Sequence, residues 1–190
     1  MEQFYIEGKI FDEKFILENP LCCGEYENCS FITCNFSNAD FSKFSFTDCE
    51  FIDCNLSNVK LIQTALRSVK FKGCKLTGLH FDNCHEFLFA VSFDNCMLQL
   101  SSFYNRKLTK TNFANCILHE VDFTSADLTQ AVFTHCDLSG AFFDNTILEK
   151  ADLRTAYNYD INPAHNRLKK ARFSTAGISG LLHQYDIEIE

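Results

Sequence analysis

Large apolar side chains recur along this chain at a spacing of five. One series runs Leu88, Phe93, Leu98, Phe103, Leu108, Phe113, Leu118, Phe123, Leu128, Phe133, Leu138, Phe143, Leu148 and Leu153 without a break. Two residues before most of them stands a smaller one, such as Val91, Cys96, Ser101, Thr111 and Cys116. A helix turns by about 100° per residue, so positions five apart drift by about 140° and line no stripe. A strand alternates faces, so a period of five flips the side chain at each repeat. A chain that turns a corner every five residues fits the pattern. Positions i−2 and i of each short side then point inward, and the others point out or form the corner. Four sides close a coil of twenty residues, and that period shows in the letters: Phe93, Phe113 and Phe133, or Cys96, Cys116 and Cys136. The pattern predicts an all-β protein, a right-handed quadrilateral parallel β-helix with coils about 4.8 Å apart. Phe113 is expected in a buried stack between Phe93 and Phe133.

An earlier series runs from Tyr26 through Phe31, Phe36, Phe41 and onward to Phe81, and it is out of phase with the second. The cysteines locate the break. Cys34, Cys54 and Cys74 are twenty apart, Cys74 to Cys96 is twenty-two, and twenty returns to Cys116 and Cys136. Two extra residues have therefore entered between Asn83 and Leu88. The expected organisation is one solenoid domain: an N-terminal cap over 1–25, a first run of repeats over 26–81, a bulge over 82–87 and a second run over 88–156. A loop over 157–170 and a C-terminal cap and dimerisation segment over 171–190 complete it. Phe173 is expected to resume the Phe103–Phe123–Phe143 column. Ser174 then reads as the N-cap of a short helix, Thr175 to Gln184, and Tyr185 to Glu190 alternates like a strand.

Ala126-Asp127-Leu128-Thr129-Gln130 and Cys136-Asp137-Leu138-Ser139-Gly140 give the repeat in full: a small residue, Asp or Asn, Leu or Phe, then two polar residues. In this the chain resembles the pentapeptide-repeat family, from roughly Asn28 to Leu153. The C-terminal Ala171-Arg172-Phe173, Leu181-Leu182 and Ile187-Glu188-Ile189 are similar to the corresponding end of Qnr/MfpA-type gyrase-interacting proteins. That resemblance implies a dimeric rod that binds DNA gyrase and topoisomerase IV as a DNA mimic and modulates quinolone susceptibility.

Composition narrows the classes. The 190 residues include 21 Phe and no Trp, as an interior repeating one shape of slot would use. Seventeen Lys and Arg against 25 Asp and Glu give a net charge of −8, which disfavours direct nucleic-acid binding through phosphates. No basic, apolar leader and no membrane-length apolar run is read, so a cytoplasmic protein is expected. Of eleven cysteines, the nine from Cys29 onward fall at inward i−2 slots, which suits buried, reduced thiols. Thiols stacked in parallel do not converge on a metal. No nucleophile–histidine spacing and no phosphate loop is present, so no enzyme, cofactor or metal site is expected. Arg106 is the one charged residue at an inward slot of the second run. It marks a site at the bulge, pairs with Glu86, or snorkels out through the corner.

Charge is uneven along the chain: −8 over residues 1–58, +5 over 59–112, −6 over 113–153 and +1 thereafter. Asp122, Asp127, Asp137 and Asp152 occupy the motif's own Asp position, where a short acceptor helps the turn. Glu120, Asp144 and Glu149 are left as the candidate partner-binding acidic surface. Two functions follow: an interaction scaffold for another protein, or a DNA mimic directed at a type II topoisomerase. Ile178, Leu181, Leu182, Tyr185, Ile187 and Ile189 are the candidate interface of a homodimer through the C-terminal ends, since so apolar a terminus should not stand in water.

Overall fold

The computed structural model describes residues 4–188, and the chain forms a four-sided parallel β-solenoid. Side one is a nine-stranded parallel sheet. Its strands are β2 (Ile10–Asp12), β4 (Ser30–Ile32), β6 (Glu50–Ile52), β8 (Val69–Lys72), β9 (Val91–Asp94), β10 (Asn112–Ala114), β11 (Val132–Thr134), β12 (Asp152–Leu153) and β13 (Arg172–Phe173). Side four, which precedes side one in each coil, begins as a second sheet of β1 (Tyr5–Glu7), β3 (Glu25–Glu27), β5 (Ser45–Thr47) and β7 (Ala65–Arg67). Sides two and three, and the upper part of side four, pair through single bridges such as Met97↔Ile117, Ser102↔Asp122 and Lys107↔Asp127.

The register is twenty residues from coil to coil, as in Phe31↔Phe51 and Phe113↔Phe133. It becomes twenty-two once, at Val69↔Val91 and Phe71↔Phe93. Inside, like lies on like. Phe113 is fully buried, its ring 5.2 Å from Phe93 and 4.9 Å from Phe133. Phe81, Phe103, Phe123 and Phe143 stack in the same way on side three. The corner residue of nearly every side has a left-handed backbone, as at Asn38 (φ 61°), Lys110 (φ 62°) and Gln130 (φ 60°). The Asp or Asn of the motif closes the turn before it. Asp122 accepts from the backbone N–H of Thr124 (2.9 Å), and Asp127 from that of Thr129 (3.0 Å).

Several expectations change. Leu88 is 62% exposed and does not begin the inner series; the half-buried Phe89 takes that slot. The first twenty-five residues supply β1 and β2, which place Phe11 beneath Phe31 (4.9 Å). They also supply a helix, α1 (Glu13–Glu18), capped by Asp12 accepting from Phe15 N–H (2.8 Å). Its Ile16 and the following Leu21 lie against the open core. At the other end there is no ten-residue excursion. Ile147↔Arg167 and Leu153↔Phe173 keep the register of twenty, so Phe173 tops the Phe113–Phe133–Leu153 column. The extra coil was hidden because Asn158 and Pro163 hold its numerical inner slots; Tyr159 and Ile161 are buried there instead. The expected helix over 175–184 is two 3₁₀ turns, Ile178–Leu181 and His183–Tyr185, with the Ser174 Oγ accepting from Gly177 N–H (3.1 Å). No strand forms over Tyr185–Glu188, and Ile189 lies outside the described residues. Tyr159 explains the glycines of this cap. A Cβ at Gly177 would lie 2.2 Å from the Tyr159 hydroxyl, and one at Gly180 would lie 2.2 Å from its carbonyl oxygen.

Candidate interaction surfaces

The interior is filled, so chemistry is left to the outward positions and to the places where the repeat is broken. Among the described residues no group of three or more His, Cys, Asp or Glu could hold a metal, and no helix is long and apolar enough to cross a membrane. The nine inward cysteines are buried and free. Burial pushes the Cys49 thiol up to about 12. Their sulfurs have a role that side-chain size does not suggest. Cys54 Sγ donates to Phe31 O (3.3 Å), Cys74 Sγ to Phe51 O (3.3 Å) and Cys136 Sγ to Phe113 O (3.4 Å). Thr64, Ser101 and Thr146 fill the same slot on other sides and donate to Phe41 O, Leu76 O and Phe123 O. Each satisfies an inward carbonyl of the coil below.

At the bulge this arrangement is modified. Arg106 occupies the donor slot and is 6% exposed. Its Nη2 donates to Asp82 O and Cys84 O, and its guanidinium carbon lies 5.5 Å from the centre of the Phe89 ring. Among the described residues no ion pair joins it to Glu86, so neither a Glu86 pair nor snorkelling describes it. Open clefts of about 660 Å³ and 530 Å³ flank the Glu86–Phe87 turn and share Arg106 in their walls.

The three candidate acids stand on three different parts of the rod. Glu120 is an exposed corner residue (φ 54°) where side two meets side three. Asp144 is exposed on side three, accepting from Asn145 Nδ2 (2.8 Å) with His165 Nδ1 3.4 Å away. Glu149 is half-buried on side four and paired with Arg167 at 2.5 Å. The coil redistributes charge in a way that linear blocks do not show. Above the bulge, sides two and three comprise residues 96–105, 116–125, 136–145 and 156–165. They hold Glu120, Asp122, Asp137, Asp144 and Asp160 and no lysine or arginine. The other two sides over the same height hold nine lysines and arginines against Asp94, Asp127, Glu149 and Asp152. The rod is therefore polarised across its width, and Glu149 belongs to the basic flank.

The acidic corner is also apolar. Tyr104 (51%) is exposed at the far edge of side three, and Leu100 (58%), Phe142 (57%) and Tyr157 (49%) on or beside this corner. Asp137 is fixed there. Burial pushes its carboxyl up, but hydrogen bonds from Ser139, His119 and Asn158 outweigh burial and hold it at about 2. At the C-terminal end, Ile178, Tyr185 and Ile187 are exposed, while Leu181 and Leu182 are half-buried.

Comparison with known proteins bears on the fold. The model of the pentapeptide repeat region matches residues 25–87, and that of pentapeptide repeats (eight copies) matches 96–134 and 126–156. No curated protein sequence matches the chain. Among solved structures, a trypsin-treated variant of QnrB1, a plasmid-mediated fluoroquinolone resistance protein, superposes with a TM-score of 0.64 at 17% identity. The match covers 99% of this chain and 98% of that one. HetL, a pentapeptide repeat protein involved in heterocyst differentiation regulation from the cyanobacterium Nostoc sp. strain PCC 7120, gives 0.61 at 15% identity. It covers 90% of this chain and 85% of that chain. At such identities the likeness is one of fold.

Proposed function

Since the chain belongs to the pentapeptide-repeat family, we propose that it serves as a non-enzymatic protein-interaction scaffold whose presenting surface is the acidic, apolar corner between sides two and three. One observation carries this reading: five carboxylates and no lysine or arginine over four coils, with Leu100, Phe142 and Tyr157 exposed among them. Aromatic and aliphatic anchors ringed by charge of one sign suit a partner with a basic surface around apolar pockets. Carboxylates at the motif's Asp position are already committed to the turn, so the exposed Glu120, Asp144 and Asp160 are left as handles for a partner.

A type II topoisomerase is the partner that the family resemblance suggests. A DNA saddle is basic, and this corner would enter it; the opposite flank, which is basic, would be turned away. Such a mimic would present duplex-like charge from one direction only.

Photocrosslinking from position 142, with position 112 on side one as control, tests the scaffold reading. It expects a partner captured from position 142 and lost in the Glu120→Lys, Asp144→Lys double variant. Equal capture from both positions, or capture indifferent to that variant, overturns it. A supercoiling assay with purified gyrase then asks whether the partner is a topoisomerase. Inhibition abolished by the same variant supports the mimic, and no effect at micromolar protein removes it.

A further inference from the structure

Side four differs from the other three in being polarised along the rod rather than across it. Its lower strands point Glu7 and Glu27 outward, with Asp48 at the corner above them. Its upper levels carry the exposed Lys107, Lys110, Lys150, Arg167, Lys169 and Lys170 together with Asp127 and Glu149, and Arg67 at the end of β7 is the one base on the lower strands. Between the halves lies the bulge, with Phe87 64% and Leu88 62% exposed. The bulge is also the midpoint. Four levels of side four lie below it, at β1, β3, β5 and β7. Four lie above it, at Lys107, Asp127, Ile147 and Arg167.

We propose that side four is the contact surface for a second copy of this chain, laid alongside in the opposite direction about a two-fold axis through the bulge. A closed two-fold contact requires a surface complementary to itself after rotation. In net charge and at its outer levels this one is, with Glu7 and Glu27 facing Lys150, Arg167, Lys169 and Lys170, while Arg67 and Asp48 come to lie beside Lys107 and Asp127 near the centre. Rotation brings the acidic half over the basic half twice, and brings Phe87 and Leu88 onto their own copies at the centre. The result has the arrangement of a specific interface, an apolar centre within a charged rim. A parallel side-by-side arrangement would set acid against acid and base against base. Nine levels at ~4.8 Å and a side of five residues give a face of roughly 40 by 15 Å, or ~1,200 Å² for two copies, at the lower edge of specific interfaces. The acidic corner between sides two and three points away from this contact and stays open in both copies.

Level-by-level pairing sets Glu27 of one copy against Lys150 of the other. Sedimentation velocity of the full chain should therefore show a dimer that weakens with salt. Glu27→Lys alone and Lys150→Glu alone should each raise the dimer Kd about tenfold, and the two together should restore it. Circular dichroism checks that each variant is folded. With Cys22 and Cys23 changed to Ser, Leu88→Cys should cross-link to its own copy on oxidation. A monomer at low salt overturns the proposal. So does a dimer indifferent to the charge swap but abolished by Ile178→Glu and Ile187→Glu, which would place the contact at the C-terminal ends.

Discussion

An inner slot two residues before each Phe or Leu asks for a side chain that is small and able to donate one hydrogen bond. Sequence reading supplied only the first condition, treating Cys34, Cys54, Cys74, Cys96, Cys116 and Cys136 as small apolar filler. The second condition was present in the letters, because Thr64, Ser101 and Thr146 occupy equivalent slots and share with cysteine a hydrogen on a heteroatom. What hid it was the carbonyl they serve, which belongs to the coil below, 23 residues earlier or 25 across the bulge. The distinction can be measured. Cys74→Ala removes the thiol donor to Phe51 O, which keeps its place in the β6–β8 ladder, at a cost of about 0.5–1.5 kcal/mol. Cys74→Ser keeps a donor in a slot where Ser101 already reaches its carbonyl at 2.8 Å, and should cost less than half as much. Urea denaturation of the two variants decides it; equal losses would mean that volume alone matters.

At the scale of the coil, the columns of Phe, Leu and Cys were legible because stacking forces like residues to a fixed spacing. The twenty-two-residue step from Cys74 to Cys96 located the insertion, and the pair Lys72↔Asp94 agrees with it. Leu88 was misread because it fell by coincidence at a multiple of five from Phe93 on a stretch that has left the core. The last coil was missed for the opposite reason: its backbone keeps the register while Asn158 and Pro163 break the pattern of letters. The bulge and Arg106 now read as one device. The inserted residues take Lys107 N–H away from Cys84 O, and the Arg106 side chain supplies the donors from the slot where a hydroxyl or thiol stands elsewhere. Arg106→Met, which keeps length and loses every donor, should cost about 1–3 kcal/mol for each carbonyl left bare. The same change made together with removal of residues 86 and 87 should recover most of that loss, since the coil then has twenty residues again. Thermal melts of the two variants check it. An Arg106→Met protein as stable as the parent would show that the guanidinium is not holding the corner.

For the whole molecule, net charge and linear blocks were poor guides. The block 113–153 is acidic as text, yet its members are distributed over four sides. Glu149 sits among Lys107, Lys150, Arg167 and Lys169, while Glu120 and Asp144 join Asp160 from outside the block. Only a register accurate to one residue turns a sequence into sides, and the bulge and the missed last coil stood in the way. The register also has a mechanical meaning. Every ladder bond joins residues about one coil apart, and no strand reaches past its neighbouring coil. Drawn apart by its two ends, the rod loads the bonds of its outermost coil while the next coil still rests on its own neighbours. Each release should free about twenty residues, or roughly 70 Å of extended chain, with one slightly longer interval at the Val69–Val91 step. Optical-tweezers traces should show a staircase of even treads, whereas a single rip of the entire chain would contradict this. Under tension such a protein behaves less like a globule that bursts than like thread leaving a bobbin, one turn at a time.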